Sequence, residues 1–395
     1  MGVLDGVKVI EAGLLVQGPQ ASLTMLEWGA DVIKVELPGF GDQSRWLPIS
    51  REDRRSAWFA AYNRGKRSVT VDLRVPDGRE VFLRLIERAD VVITNFKPGT
   101  MESWGLGYAD AAARNERIIY AMGSSFGPEG PDAGREGADL SAQAAGGLIS
   151  TTGGRGADPT SIGATIADHI SGQNLLAGVL GALYAREKSG LGQLIETSLL
   201  GGQIWAQAGE YTRYLMSGSI SGPSGRGHPM IPGIYGVFPT SDGWIAIVGV
   251  AGTARDLFYQ TIGRPDLISQ FDQLLYFEDD RDALWPILDE VFAQKPTAEW
   301  CHLLGEAGLR FAPVRDHAEV AADPGVRANR YITGVPGSAQ GTADQEVVRA
   351  PVRFGGQDTA APVGLPELGQ HTEEVLVENG FSWEEIEALS AAGAI

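Results

Sequence analysis

The stretch VKVIEAGLLVQGPQASLTMLEWGADVIKVE, residues 7–36, decides the fold. Its first segment, residues 7–11, reads as a short buried strand. Residues 19–29 read as a helix with Pro19 in the first turn, where a missing N–H costs nothing. Residues 31–36 (DVIKVE) read as a second strand. The pattern then recurs: strands at 68–73, 90–94 and 117–122, with a helix at 76–88 between the first two. Strands alternating with helices imply a parallel, Rossmann-like sheet, so the fold class is α/β.

The turn inside the opening stretch, EAGLLVQGPQ, lacks the G-x-G-x-x-G of a dinucleotide site. Glu36, at the end of the second strand, stands where a ribose-binding acid is expected. Without the glycines, however, the backbone has no evident approach to a pyrophosphate, which argues against NAD.

Outward from this unit, GQLIETSLL (192–200) reads as a strand followed by a helix to about 216. The Gly/Ser/Pro-rich stretch SGSISGPSGRGHPMIPG, 217–233, reads as a linker. YGVFPTSDGWIAIVGV, 235–250, reads as a hairpin turning at Ser241, Asp242 and Gly243. Helical segments fill 253–321, a polar Gly-rich region spans 334–345, and two helices close the chain near 371–379 and 382–392.

The chain has 395 residues, a natural length for two domains. A formal charge of −18 argues against nonspecific nucleic-acid binding. An anionic small molecule needs only a local basic patch, for which Lys66, Arg67, Arg74 and Lys97 are candidates; the alternative is that they are solvated surface charges. Cys301 is the single cysteine, so an internal disulfide and a cysteine zinc cluster are excluded and no metal site is expected. Its setting, TAEWCHLLGEAG, suggests a core thiol in an amphipathic helix. There is no signal peptide and no apolar run long enough to span a membrane, so a cytoplasmic location is expected.

Seven segments in sequence order resemble the family III CoA-transferases, the formyl-CoA transferase and carnitine CoA-transferase family. They are LDGVKVIEAG (4–13), GADVIKVELPGFGDQSR (29–45), NRGKRSVTVDLRVPDGRE (63–80), ADVVITNFKPGTMESWGL (89–106), AREKSGLGQLIETSLL (185–200), YGVFPTSDGW (235–244) and LGQHTEEVL (368–376). The resemblance implies a large Rossmann-like CoA-binding domain formed by both chain ends, with a smaller α+β domain inserted. The corresponding division is 1–216 and 346–395 for the large domain and 234–325 for the small one, with linkers at 217–233 and 326–345. It also implies a homodimer of interlocked rings, no permanently bound cofactor, and acyl-CoA with a carboxylic acid as substrates.

The resemblance further implies a nucleophile, Asp168, in GATIADHISGQNLLAGVLGAL (163–183). In similar enzymes this carboxylate attacks an acyl-CoA thioester and forms a mixed anhydride. From the residues alone, Asp168 reads first as the N-cap of a helix spanning 169–188, and it is the resemblance that favours the nucleophile. The small residues Gly163, Ala164, Ala167 and Gly172 would admit a bulky thioester, and His169 reads as a packed neighbour rather than a base. Positions matching CoA contacts are Val16, Gln17, Val71, Asp72, Leu73, Arg74, Asn95, Phe96 and Lys97. Two positions that are basic in some family members are Leu37 and Ser103 here. Asp139 and Gln143 match polar positions near the active site. Ala138 stands where the related α-methylacyl-CoA racemases carry a histidine, and alanine cannot move a proton. A CoA-transferase is therefore expected; a racemase or a catalytically silent CoA-binding protein are the alternatives.

Overall fold

The computed structural model describes residues 2–271, 278–335, 345–355 and 364–395. The chain divides into two compact units. One comprises residues 1–146, 163–206 and 324–395; the other comprises 147–162 and 207–323.

The first unit is built on six strands: β1 (Lys8–Ala12), β2 (Asp31–Glu36), β3 (Arg67–Thr70), β4 (Val91–Thr94), β5 (Ile119–Ser124) and β6 (Leu194–Ser198). All neighbours pair parallel, in the order β3-β2-β1-β4-β5-β6. The parallel sheet is the one expected from the alternation of strands and helices; its strand order is that of a Rossmann fold, with the reversal point between β1 and β4. A parallel sheet covered on both faces needs apolar residues on both. Val9, Val32, Val91 and Ile93 pack on one side with Met25 and Leu175. Ile10, Ile33, Val69 and Val92 pack on the other with Phe82 and Leu376.

Glu11 and Lys34 break this apolar pattern, and both are wholly buried. Lys34 Nζ lies 3.0 Å from Glu11 Oε1 and 2.8 Å from Asp42 Oδ2. Lys66, a candidate for an anion-binding patch, is instead part of this core. Its Nζ donates to Glu11 Oε2 (2.7 Å), Pro19 O (3.0 Å) and Asn63 Oδ1 (2.9 Å). An unpaired charge here would cost several kcal/mol, so the ions are held as a connected set. Glu36 is spent in the same way. It accepts two 2.8 Å bonds from Arg45 and one of 2.6 Å from the Ser68 hydroxyl, leaving no ribose-binding acid.

Between β1 and the helix Gln17–Glu27 the chain makes one unusual turn: Leu15 has φ +63°. A leucine in the left-handed region costs about 1–2 kcal/mol, so its neighbours must hold it there.

The C-terminal segment returns to the same unit. β10 (Ile332–Val335) and β11 (Gln345–Val348) form an antiparallel pair; the polar region expected at 334–345 lies mostly outside the described residues. His371 N donates to Ser68 O (2.9 Å) and Asp72 N to Ala394 O (2.8 Å), which docks the last two helices on the β3 edge.

In the second unit, β7 (Ile234–Pro239), β8 (Trp244–Val250) and β9 (Phe311–Pro313) form an antiparallel sheet. Phe238 stacks on Phe292 (5.4 Å between centroids), and Trp300 packs edge-on to Phe292. Cys301 lies partly buried against this core. The expected helix running to 216 is broken at Gln207 into Leu199–Ala206 and Ala208–Ser217. The stretch read as a linker, 217–233, belongs to the second unit, where Ser224 N bonds Thr151 O and Gly225 N bonds Gly153 O, both at 2.9 Å. No described helix is long and apolar enough to cross a membrane.

Candidate active site

Asp168 is not the N-cap. The helix begins earlier than the sequence suggests, at Ile166, and runs to Ser189 with Thr165 as its cap residue. Thr165 makes no side-chain cap bond. The role falls to Asp139, whose Oδ1 accepts from Ala167 N (2.7 Å) and Asp168 N (3.2 Å). Asp139 Oδ2 in turn accepts from Gln143 Nε2 (2.5 Å). A helix needs such an acceptor for its unpaired N–H groups. Since Asp139 supplies it, the Asp168 carboxylate is left unengaged, with no hydrogen-bond partner among the described residues.

Asp168 is half-buried. Burial, with the Asp139 charge adding to it, pushes its carboxyl up from 3.8 to about 7. A carboxylate of higher basicity is a better nucleophile, and near neutral pH a large fraction of it is still ionised. His169 is no base for it. Burial, against an opposing pull from Asp139, lowers its pKa. Its Nε2 lies 3.0 Å from the Tyr62 hydroxyl, with the rings edge to face at 5.7 Å. Sequence reasoning misses Tyr62; it reaches His169 across 107 residues, and no local signal marks it.

Two of the small residues serve packing rather than access. A Cβ on Gly172 would lie 2.9 Å from Gln17 O and 2.6 Å from Gln20 Oε1, so glycine lets the long helix press against Gln17–Glu27. Ala167 is fully buried. Gly163 faces open space.

The candidate CoA contacts divide into two groups. Val71, Asp72, Leu73, Arg74 and Phe96 line a cleft of about 220 Å³ at the carboxyl ends of β1 and β2. Val35, Val71 and Leu73 lie under it, with Phe40, Phe96 and Trp104 as aromatic walls. Phe96 and Trp104 meet edge to face at 5.7 Å. Leu37 also lines the cleft, at the position where a basic residue would have met an anion. Arg74 is exposed and bonds Asp72 through two 2.8 Å contacts, which holds the Asp72 carboxyl below its ordinary range.

The other group is absent from the cleft lining. Val16 and Gln17 are buried. Gln17 Nε2 donates to Ser171 Oγ (2.6 Å), fastening the two helices one turn from Asp168. Asn95 spends its amide on Leu14, accepting from its N–H and donating to its carbonyl, both at 2.8 Å. Lys97 is exposed, and its side chain has no hydrogen bond or ion pair among the described residues. Ser103 Oγ donates to Thr100 O (2.7 Å). Arg67, at the amino end of β3, pairs with Asp31 and Glu378 away from the cleft. The four cations considered as one patch are therefore dispersed.

A family model described as CoA-transferase family III matches residues 4–372. An acyl-CoA transferase of Fusarium pseudograminearum is 35% identical over 410 residues, covering 100% of this chain and 88% of its own length. The succinyl-CoA–D-citramalate CoA-transferase of Chloroflexus aurantiacus is 31% identical, covering 99% of this chain and 98% of its own. Among solved structures, a CAIB/BAIF family protein from Brucella suis superposes with a TM-score of 0.84 at 33% identity, over 96% of this chain and 99% of that one.

Proposed function

The chain belongs to CoA-transferase family III, and we propose that it moves CoA from an acyl-CoA donor to a carboxylic acid acceptor, with Asp168 as nucleophile. The observation that carries this is the Asp168 carboxylate itself: half-buried, raised in basicity and relieved of capping by Asp139.

In the first step an Asp168 oxygen attacks the thioester carbonyl. The C–S bond breaks, CoA leaves as thiolate, and an acyl–aspartyl anhydride remains. The thiolate then attacks the Asp168 carbonyl, releasing the donor acid and leaving CoA on Asp168 as a thioester. The acceptor carboxylate repeats the sequence in reverse and leaves as its CoA ester. Each step exchanges one acyl bond for another, and no oxidant or metal is needed.

In this reading the cleft receives the nucleotide end of CoA, with adenine against Phe96 or Phe40, which line it, and phosphate on Arg74 at the lining or on Lys97, next in sequence to Phe96. Arg74 must then exchange Asp72 for phosphate. The protein acts as an interlocked homodimer in this reading, as the family resemblance implies.

The test is incubation with succinyl-CoA and D-citramalate first, the pair named for the Chloroflexus relative, followed by other donor–acceptor pairs. New CoA esters are read by mass spectrometry. Hydroxylamine should modify Asp168 only when acyl-CoA is present. Deuterium entering the α-carbon without CoA exchange would instead identify a racemase, and CoA binding without either reaction a silent binding protein.

A further inference from the structure

We propose that Asp42 is a positioning residue for acyl-CoA binding, which holds Leu15 in its left-handed turn and joins two walls of the cleft. This role rests on the CoA-transferase reading. Gly13 and Leu14 line one side of the cleft, and Phe40, Gly41 and Gln43 another.

Between Gly13 N and Leu15 N, each backbone polar group is held by a side chain. Gly13 N donates to Glu11 Oε1 (2.9 Å), and Gly13 O accepts from Lys34 Nζ (3.1 Å). Asn95 takes both polar groups of Leu14. Leu15 N donates to Asp42 Oδ1 (3.2 Å). The same Asp42 oxygen accepts from Ser44 N (2.7 Å), at the short helical turn Gln43–Trp46. Asp42 is fully buried and paired with Lys34, so it does not swing with the solvent. Burial works to raise its pKa, but the Lys34 charge and hydrogen bonds prevail and hold it down at about 2.

The reason for so many tethers is Leu15. A leucine leaves φ +63° when nothing holds it, and the turn would then reset the start of the helix Gln17–Glu27. Glycine has no such preference. The Leu15 tether is therefore needed only because residue 15 carries a side chain, whereas the pairing of Asp42 with Lys34 is a separate, charge-balancing demand.

That dependence makes the test. Asp42→Ala should raise the KM for acyl-CoA by about tenfold or more while kcat stays within about threefold. Asp42→Asn keeps an acceptor for Leu15 N–H and should retain most of the affinity. In Asp42→Ala/Leu15→Gly the KM should return to within about threefold of wild type, because the turn no longer needs its tether. Deuterium exchange of the amides at 13–18 should rise in Asp42→Ala and fall back in the double variant, whatever the substrate. A purely structural Asp42 predicts the opposite for the second change, since Leu15→Gly would then only add instability. An unchanged KM in folded Asp42→Ala overturns the proposal, as does a double variant no better than the single one. If the alanine variants do not fold because Lys34 loses its partner, Asp42→Asn decides: it keeps the acceptor for Leu15 N–H, so KM and amide exchange at 13–18 should stay near wild type, and a tenfold rise in KM overturns the proposal. A wild-type protein that binds no CoA refutes the transferase reading, and this role with it; the exchange data then report the turn alone.

Discussion

Replacing Asp168 by Asn should abolish transfer and at the same time stabilise the protein. The carboxyl is raised from 3.8 to about 7 because its charged form is partly desolvated and faces Asp139. The native state therefore keeps a proton on Asp168 up to about pH 7, while the unfolded chain loses it near 3.8. Across that window the native state binds more protons, so wild-type stability falls as pH rises. Each pKa unit is worth about 1.4 kcal/mol, giving a ceiling of about 4 kcal/mol above pH 7. Partial exposure and screening reduce this to about 2 kcal/mol. Asparagine keeps the shape without the charge. The variant should therefore match wild type near pH 4 and pull ahead by about 2 kcal/mol at pH 8. Thermal melts at pH 4, 6 and 8 measure the gap. Turnover should drop roughly 1,000-fold or more, because an amide cannot form the anhydride. A variant that turns over acyl-CoA near the wild-type rate, or that melts below wild type at pH 8, refutes the reasoning.

Other consequences follow from the same geometry. The rate kcat/KM should rise with pH with a midpoint near 7 and then level, since only ionised Asp168 attacks; a profile flat from pH 5 to 8 removes Asp168 as nucleophile. Asp139→Ala should cost about 1 kcal/mol through the lost cap, and move the acidic limb of that profile to lower pH by removing a negative neighbour. Gly172→Ala should destabilise by about 1–3 kcal/mol, because its Cβ would press on the Gln17 carbonyl; unfolding midpoints measure it. If the subunits interlock, sedimentation should give one dimeric species on dilution and at moderate salt, and a folded monomer peak that grows on dilution contradicts the ring arrangement.

Residues 7–36, with the recurrence of their pattern to 122, made the parallel α/β sheet legible by themselves, because strand and helix periodicities are local and a doubly covered parallel sheet demands near-continuous apolar strands. Asp168 was legible as a candidate nucleophile only through its order among neighbouring motifs. From the residues alone, an acid where a loop meets a helix reads first as a cap. Tertiary structure removed the cap reading, since the oxygen that caps the helix belongs to Asp139, 28 residues before Ala167, and hydrogen bonding is decided by distance in space. The same reason explains Lys66 and Glu36. Sequence places a charge at a strand end but does not show the partners that allow it to be buried. Lys66 reads as surface charge until Glu11 is found beside it, 55 residues away. Glu36 reads as a ligand for ribose until Arg45 and Ser68 occupy its oxygens. Periodicity reports which face of an element is buried; what a buried polar group does depends on what the rest of the chain brings to it.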